Sequence, residues 1–432
     1  MTYKEALEYI HSVTWLGSRP GLERISDLCD RLGNPEDHCR FIHVAGTNGK
    51  GSTSVMLSSI LRREGYTVGL FTSPYIEQFN ERIRLNGENI TDGDLAEVTA
   101  YVKTFADAMS DPPTEFELIT AIAFEYFKRK NCDFVVLEAG LGGRLDSTNV
   151  IKGSVLSIIT GIAFDHTAIL GSTHAAIAAE KAGIIKAGCP VLCGECPPEA
   201  EEVIRDRADE RGSPCYSTDF AKITNVSASL RGTTFDFDGQ HIAIPLLGLY
   251  QTKNTAVVLT ACRILRKEGI RISDDAVREG LMAAKWSARF EILRESPLVI
   301  YDGAHNVQGI GSAAENIRQY LSPLTKDGRV NILMGVMKDK EYSEMIGMLA
   351  PLSEKVYCVT PNNERSLSAD REAAEYGAHG VSAIGFDSIE EGVFAACRDS
   401  LEERRPLICL GSLYMYADVK AAVSRWCEGE GR

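Results

Sequence analysis

The sequence predicts an α/β protein of two domains: a larger N-terminal P-loop NTPase-like domain on a parallel sheet, and a smaller C-terminal Rossmann-like α/β domain. Three observations carry this. Short apolar, β-branched runs alternate with segments of helical period from residue 40 onward. A glycine-rich turn follows the first run and opens a helix. The alternation breaks off between Pro214 and Pro245, then restarts after Pro297.

In order, residues 40–45 form the first strand, and 52–64 a helix with Val55, Leu57, Ile60 and Leu61 on one face, stopped by Gly65. Strands follow at 67–71, 133–138 and 154–159, with helices at 117–130 and 176–185. Such continuous apolar strands between helices indicate a parallel sheet buried on both faces. Short alternating segments ending near Gly239 read as a β meander or hairpin insert. Helices at 250–268 and 274–284 come next, and strands at 298–301, 331–334, 355–359 and 406–410 build the second sheet. The boundary is expected near Ser296, dividing the chain into 1–295 and 296–432.

Composition narrows the function. The 432 residues are 44% hydrophobic and 25% charged, ordinary globular usage. Against 46 Lys and Arg stand 60 Asp and Glu, a net charge of −14. Such a surface is a poor general trap for nucleic acid or an anionic membrane, so neither is an expected partner. No apolar stretch approaches the ~18–20 residues that span a bilayer. The start, Met1-Thr-Tyr-Lys-Glu-Ala-Leu7, has no apolar signal segment, so a cytoplasmic location is expected. The 12 Cys then read as reduced thiols. Cys189, Cys193 and Cys196 contain one C-x-x-C, short of the four ligands of a structural zinc, and a loop of small residues is the simpler reading.

The most informative stretch is His43-Val-Ala-Gly-Thr-Asn-Gly-Lys-Gly-Ser-Thr53. Glycines let backbone N–H groups close around phosphate oxygens, and the following helix start adds partial positive charge. Lys50 would reach the terminal phosphates, and the hydroxyl of Ser52 or Thr53 could approach Mg²⁺. Val44 replaces the first glycine of the usual pattern, and Gly51 is inserted after the lysine. Glu138, at a strand end, fits a metal-holding acid and equally a carboxylate that caps the next element. The loop from Gly140 to Asn149, rich in Gly with Arg144 and Asp146, fits a ligand loop or a tight connection. His166 reads as metal ligand, proton shuttle or helix-start histidine, with Asp165 as its orienter or as an N-cap. Lys181, near a helix C-terminus, has no special role by spacing alone.

Five ordered motifs go further: Gly46-Thr-Asn-Gly-Lys-Gly-Ser52, Leu141-Gly-Gly-Arg-Leu-Asp-Ser-Thr-Asn149, Phe164-Asp-His166, Glu180-Lys-Ala-Gly-Ile-Ile185 and Asp302-Gly-Ala-His-Asn306. Together they closely resemble the folylpolyglutamate synthase/dihydrofolate synthase family of the Mur-ligase superfamily, over essentially the whole chain. The resemblance implies a Mur-ligase central-domain fold for the first domain and an ATP-dependent amide ligase. ATP converts a substrate carboxylate to an acyl phosphate, and the amine of L-glutamate displaces the phosphate. It implies two Mg²⁺ sites, with Ser73 and Glu138 holding one and His166 the second. Asn48, Gly49, Lys50, Gly51 and Ser52 correspond to the ATP loop, and Asn254, Arg289, Asp302 and His305 to further nucleotide contacts. Lys50, Lys181, His166 and Glu138 form the implied catalytic set, with Lys181 carbamylated. Ser18, Arg19, Pro20, Phe116, Glu117, Leu145, Asp146 and Ser147 correspond to the pteroate-binding residues. Arg144-Leu145-Asp146 resembles the bifunctional type, acting on dihydropteroate and on reduced folates; tail extension alone is the alternative. A Mur-type cell-wall ligase, which would carry a substrate domain ahead of the loop, and a non-catalytic nucleotide switch are the rival classes. A monomer with only small-molecule partners is expected. Two positions depart from the family: Tyr250-Gln251 stands for His-Gln, and Trp286-Ser-Ala-Arg289 for Trp-Pro-Gly-Arg.

Overall fold

The computed structural model describes residues 1–17 and 19–430. The chain divides into two compact units, 1–223 with 253–284 and 224–252 with 285 onward.

The first unit is built on eight strands: β1 (Arg40–Ala45), β2 (Val68–Phe71), β3 (Ile83–Leu85), β4 (Glu88–Asn89), β5 (Phe134–Glu138), β6 (Leu156–Gly161), β7 (Val191–Glu195) and β8 (Cys215–Ser217). Their order is β4-β3-β2-β5-β1-β6-β7-β8. From β2 to β8 neighbours run parallel, while β3 and β4 add an antiparallel edge that the sequence reading did not contain. β5 is buried along its whole length, which is why it reads as an unbroken apolar run. Helices Glu23–Arg31, Asp92–Ala106 and Glu115–Arg129 supply one core with Val135 and Leu137. Helices His174–Ala182 and Pro198–Glu210 supply another with Ile159, Val191 and Cys193. Helix Asp274–Ala283 lies so close to helix Lys50–Arg63 that a Cβ on Gly280 would stand 2.5 Å from Ile60 Cα. Because β1 is flanked by β5 and β6, strand order reverses around it, and its carboxyl end opens at the crevice where such sheets bind ligands.

The second unit holds a three-stranded sheet, order β11-β10-β9, from β9 (Ile223–Ser229), β10 (Gly232–Phe237) and β11 (Gln240–Ile244). It also holds a six-stranded sheet from β12 (Glu291–Glu295), β13 (Leu298–Tyr301), β14 (Val330–Met334), β15 (Ser353–Cys358), β16 (Ser382–Gly385) and β17 (Leu407–Leu410). Its order is β12-β13-β17-β14-β15-β16, parallel except for the β12–β13 hairpin. The expected insert is real as a β sheet, but it belongs to the second unit: Ala228, Leu230 and Leu247 pack in that unit's core. The unit's second segment begins at Lys285, and Ser296 and Pro297, where a boundary was expected, form the turn between β12 and β13. No helix among the described residues is long and apolar enough to cross a membrane.

Candidate active site

β1 ends at Ala45 and the chain turns at once. Gly46 has φ +153° and Gly49 φ +83°. A Cβ on Gly46 would overlap the Thr160 hydroxyl, and one on Gly49 would lie 2.5 Å from Asn254 Oδ1, so both positions require glycine. Thr160 Oγ1 donates to Asn48 O at 2.7 Å, and Thr47 N donates to Gly161 O at 2.9 Å. The loop is therefore strapped to the end of β6. Helix Lys50–Arg63 begins behind it, capped by Gly49. A helix start exposes N–H groups without intrahelical partners, which makes this end a site for an anion.

Two lysines meet at one carbonyl. Lys50 Nζ donates to Gly46 O at 3.0 Å and Thr47 O at 3.1 Å, and Lys181 Nζ donates to Gly46 O at 2.8 Å. Lys181 comes from helix His174–Ala182 and is 4% exposed. Burial, then the neighbouring Lys50 charge, pulls its ammonium from 10.5 down to about 7. At neutral pH it is divided between the ammonium and the nucleophilic amine.

β2 and β5 are parallel neighbours, so the residues that close them arrive side by side. Glu138 Oε2 accepts from Ser73 N at 3.3 Å, and Ser73 Oγ accepts from Arg82 Nη1 at 2.9 Å. Glu138 is buried. Among the described residues no three His, Cys, Asp or Glu side chains form a preformed metal cluster. His166 lies beyond β6 with φ +49°, its N–H donating to Asp165 Oδ1 at 2.9 Å and its ring half exposed. Thr47 ties this segment to the loop, its Oγ1 donating to Ala163 O and accepting from Ala163 N, both at 3.1 Å.

The residues corresponding to the pteroate end divide into two kinds. The Phe116 ring lies under Gly140, where a Cβ would stand 2.6 Å from Cζ, and beside Phe71 at 5.9 Å between centroids. It offers an apolar floor. Glu117 and Asp146 hold the protein's own groups. Glu117 Oε2 accepts from Thr114 N at 2.7 Å and from Arg24 Nε at 3.1 Å, while Arg24 Nη2 lies 3.0 Å from Oε1. Asp146 Oδ2 accepts from Leu141 N at 2.8 Å, and Oδ1 from Thr148 N at 3.1 Å. Ser147 is buried in the short turn that Asp146 caps, Leu145 is half-buried beside it, and exposed Arg144 pairs with Glu180 at 2.8 Å. Arg19, exposed like Pro20, donates to Asp111 Oδ1 at 2.9 Å. Ser18 lies outside the described residues. Sequence reasoning missed Thr160, Arg82 and Arg24. Thr160, the polar residue closing an apolar strand beside the loop, carried a usable signal.

In the second unit Asp302 follows β13 and is fully buried. Its Oδ2 accepts from Tyr250 OH at 3.2 Å and its Oδ1 from Ala304 N at 3.0 Å. Burial pushes its carboxyl up to about 6, against the opposing pull of Arg289. Arg289 Nη1 donates to Ala288 O at 3.1 Å, and a Cβ on Gly303 would overlap this guanidinium. His305 Nδ1 stands 2.7 Å from Gly303 O, so that nitrogen carries the proton. Ala288 adopts φ +58°, a left-handed conformation at the position where the family pattern has glycine.

Two family models match: the Mur ligase middle domain over residues 44–262, and the Mur ligase glutamate ligase domain over 288–413. The dihydrofolate synthase/folylpolyglutamate synthase of Bacillus subtilis is 39% identical, aligned over 97% of this chain and 98% of its own. The folylpolyglutamate synthase of Lacticaseibacillus casei is 37% identical, with the same coverage. The chain belongs to the dihydrofolate synthase/folylpolyglutamate synthase family of Mur ligases. Among solved members, E. coli FolC in complex with DHPP and ADP superposes with a TM-score of 0.84 at 30% identity, covering 98% of each chain. The family's middle-domain model spans Lys50, Ser73, Glu138, His166, Lys181 and Asn254, and its glutamate ligase model spans Arg289, Asp302 and His305.

Proposed function

We propose that this chain is an ATP-dependent, ADP-forming ligase that joins L-glutamate to dihydropteroate and to the glutamate tail of reduced folates. The observation that carries the reading is the convergence of Lys50 and Lys181 on Gly46 O, beside a glycine cradle and the Ser73–Glu138 pair. A carboxylate is a poor electrophile, so it must gain a leaving group. The cradle's amides and Lys50 hold the triphosphate and absorb charge as a carboxylate oxygen of the acceptor takes the γ-phosphoryl group and ADP leaves. The glutamate amine then adds to the acyl carbon and loses a proton. The tetrahedral intermediate expels phosphate and leaves an amide. Arg289, Asp302 and His305 are taken as further nucleotide contacts in this reading.

The Ser73 hydroxyl and Glu138 carboxylate are hard oxygen donors that suit Mg²⁺, which keeps water and substrate phosphates as its other ligands. His166 would hold a second ion. Bound Mg²⁺ would neutralise charge on the transferring phosphoryl group. Lys181 acts as a carbamate, formed when its neutral amine adds to CO₂ and a proton is lost. Phe116 packs on the pteridine, while Glu117 and Asp146 shape the surrounding loops. The protein acts as a cytoplasmic monomer with small-molecule partners.

The test is phosphate release from ATP with L-glutamate and either dihydropteroate or a reduced monoglutamyl folate. Turnover with both is expected. Turnover with the folate alone would leave a tail-extending synthase, and glutamate-independent hydrolysis would remove the ligase reading.

A further inference from the structure

His43 lies in the middle of β1 and is fully buried. Its Nε2 stands 2.9 Å from Thr148 Oγ1, a residue of the substrate loop. Thr148 Oγ1 in turn lies 2.5 Å from Asp146 Oδ1, the carboxylate that also takes the amides of Thr148 and Leu141. A hydroxyl has one proton. The short contact to a carboxylate claims it, so Thr148 must accept from His43, and Nε2 carries the imidazole proton. His43 Nδ1 is then a bare acceptor, and it has no partner. Burial, with Lys186 nearby, drives the imidazolium down to about 3, so the ring is neutral at working pH. A buried acceptor left unmade costs ~1–3 kcal/mol. An aliphatic side chain in this strand would avoid that cost, as Ile42 and Val44 do on either side. The donor at Nε2 is what an aliphatic residue cannot supply.

We infer that His43 is a positioning residue for the pteroate or folate acceptor: through Thr148 it sets the Asp146 carboxylate and so the shape of the Gly140–Asn149 loop. The hydroxyl is steered toward Asp146 because its own lone pair is occupied by the ring. Asp146 then holds Leu141 N across the loop and caps the turn Ser147–Val150. His43 also belongs to the strand that opens into the phosphate cradle, yet its side chain touches the acceptor loop. The acceptor should therefore feel its loss and ATP should not. The inference rests on the proposed ligase activity.

The experiment measures KM for dihydropteroate and for a reduced monoglutamyl folate, and separately KM for ATP, in the full chain. The variants are His43→Leu, His43→Gln, Thr148→Val, Thr148→Ser and the double His43→Leu/Thr148→Val. Loss of one such bond predicts an acceptor KM raised about tenfold in His43→Leu and in Thr148→Val, with ATP KM within about twofold. The double variant should be no worse than either single, because both cut one chain. Gln keeps an N–H at the Nε2 position and Ser keeps the hydroxyl, so both should stay within about threefold of the unmodified protein. The Thr148 pair decides the matter if His43→Leu does not fold. Multiplying effects in the double variant, an equal rise in ATP KM, or a silent Thr148→Val would overturn the inference. Absence of glutamate-dependent turnover in the unmodified protein would instead overturn the functional reading on which it stands.

Discussion

Carbon dioxide labelled with ¹³C should be taken up at Lys181 over a pH range where ordinary lysines do not react. Carbamate formation needs the unprotonated amine. With a pKa of 10.5, a lysine at pH 7 is neutral in roughly 3 molecules per 10,000. In the fold the ammonium is drawn down to about 7, so about half of the molecules carry the neutral amine. The reactive fraction rises on the order of 10³-fold. The same fall amounts to about 5 kcal/mol held against the ammonium by burial and by Lys50. Once the carbamate forms, its anion faces Lys50, so the repulsion that lowered the pKa becomes an attraction. The assay is ¹³C NMR of the protein at fixed dissolved CO₂, titrated from pH 6 to 10, with Lys181→Met as the blank. Turnover is measured in parallel in CO₂-stripped and replenished buffer. One labelled site, populated already near neutral pH where ordinary lysines are not, absent from the blank, and activity that follows CO₂, are expected. Equal labelling of the blank, a midpoint near 10, or turnover indifferent to CO₂ would refute the reasoning.

Three further outcomes are open to measurement. Glu372 is fully buried with neither carboxylate oxygen bonded, and burial raises its pKa from 4.5 to about 8. The folded state keeps a proton that the unfolded chain gives up, so stability is lost as pH rises from about 4.5 to about 8, roughly 3 kcal/mol by pH 7. Glu372→Gln should flatten the urea midpoint across pH 5–8, and an unchanged slope would sink this assignment. Gly46→Ala puts a Cβ into the Thr160 hydroxyl and should cut kcat/KM for ATP by ~10²-fold, the usual cost of an ångström's misplacement; an ATP KM and kcat near those of the unmodified protein would show that the cradle is not used. Ala288→Gly relieves left-handed strain of ~1–2 kcal/mol at the cost of some chain entropy, so urea unfolding should show a gain of about 0.5–1 kcal/mol, and a loss would contradict the strain.

What could be read from the sequence divides by range. The glycine loop after β1 was legible as a strand–turn–helix because its requirements are local: glycines where φ is positive and a helix start at Lys50. Glu138 was legible as a strand end, though nothing in the sequence told it from a capping carboxylate; its pairing with Ser73 depends on β2 lying beside β5. Glu117 and Asp146 had the right residue types, but their oxygens are claimed from Arg24 and from Leu141 and Thr148, contacts that spacing does not announce. The same holds for the Ser296–Pro297 turn. The restart of the strand–helix alternation after it reads as a domain boundary, and only the pairing of β12 with β13 makes it a hairpin inside one unit.

The charge balance can now be placed on particular atoms. A chain at −14 has carboxylates to spare, and surface cations such as Arg144 are paired with them. Lys50 is treated differently: its ammonium is held by the carbonyls of Gly46 and Thr47 and, among the described residues, by no carboxylate. A carboxylate partner would cancel its field, whereas carbonyl dipoles fix its position and leave its charge unopposed at the helix start. Lys181 shares the Gly46 carbonyl, and two ammonium groups there would repel, which is the condition that favours the neutral amine. One backbone oxygen at the end of β1 thus receives both lysines, and burial together with the Lys50 charge beside it draws Lys181 toward the neutral amine.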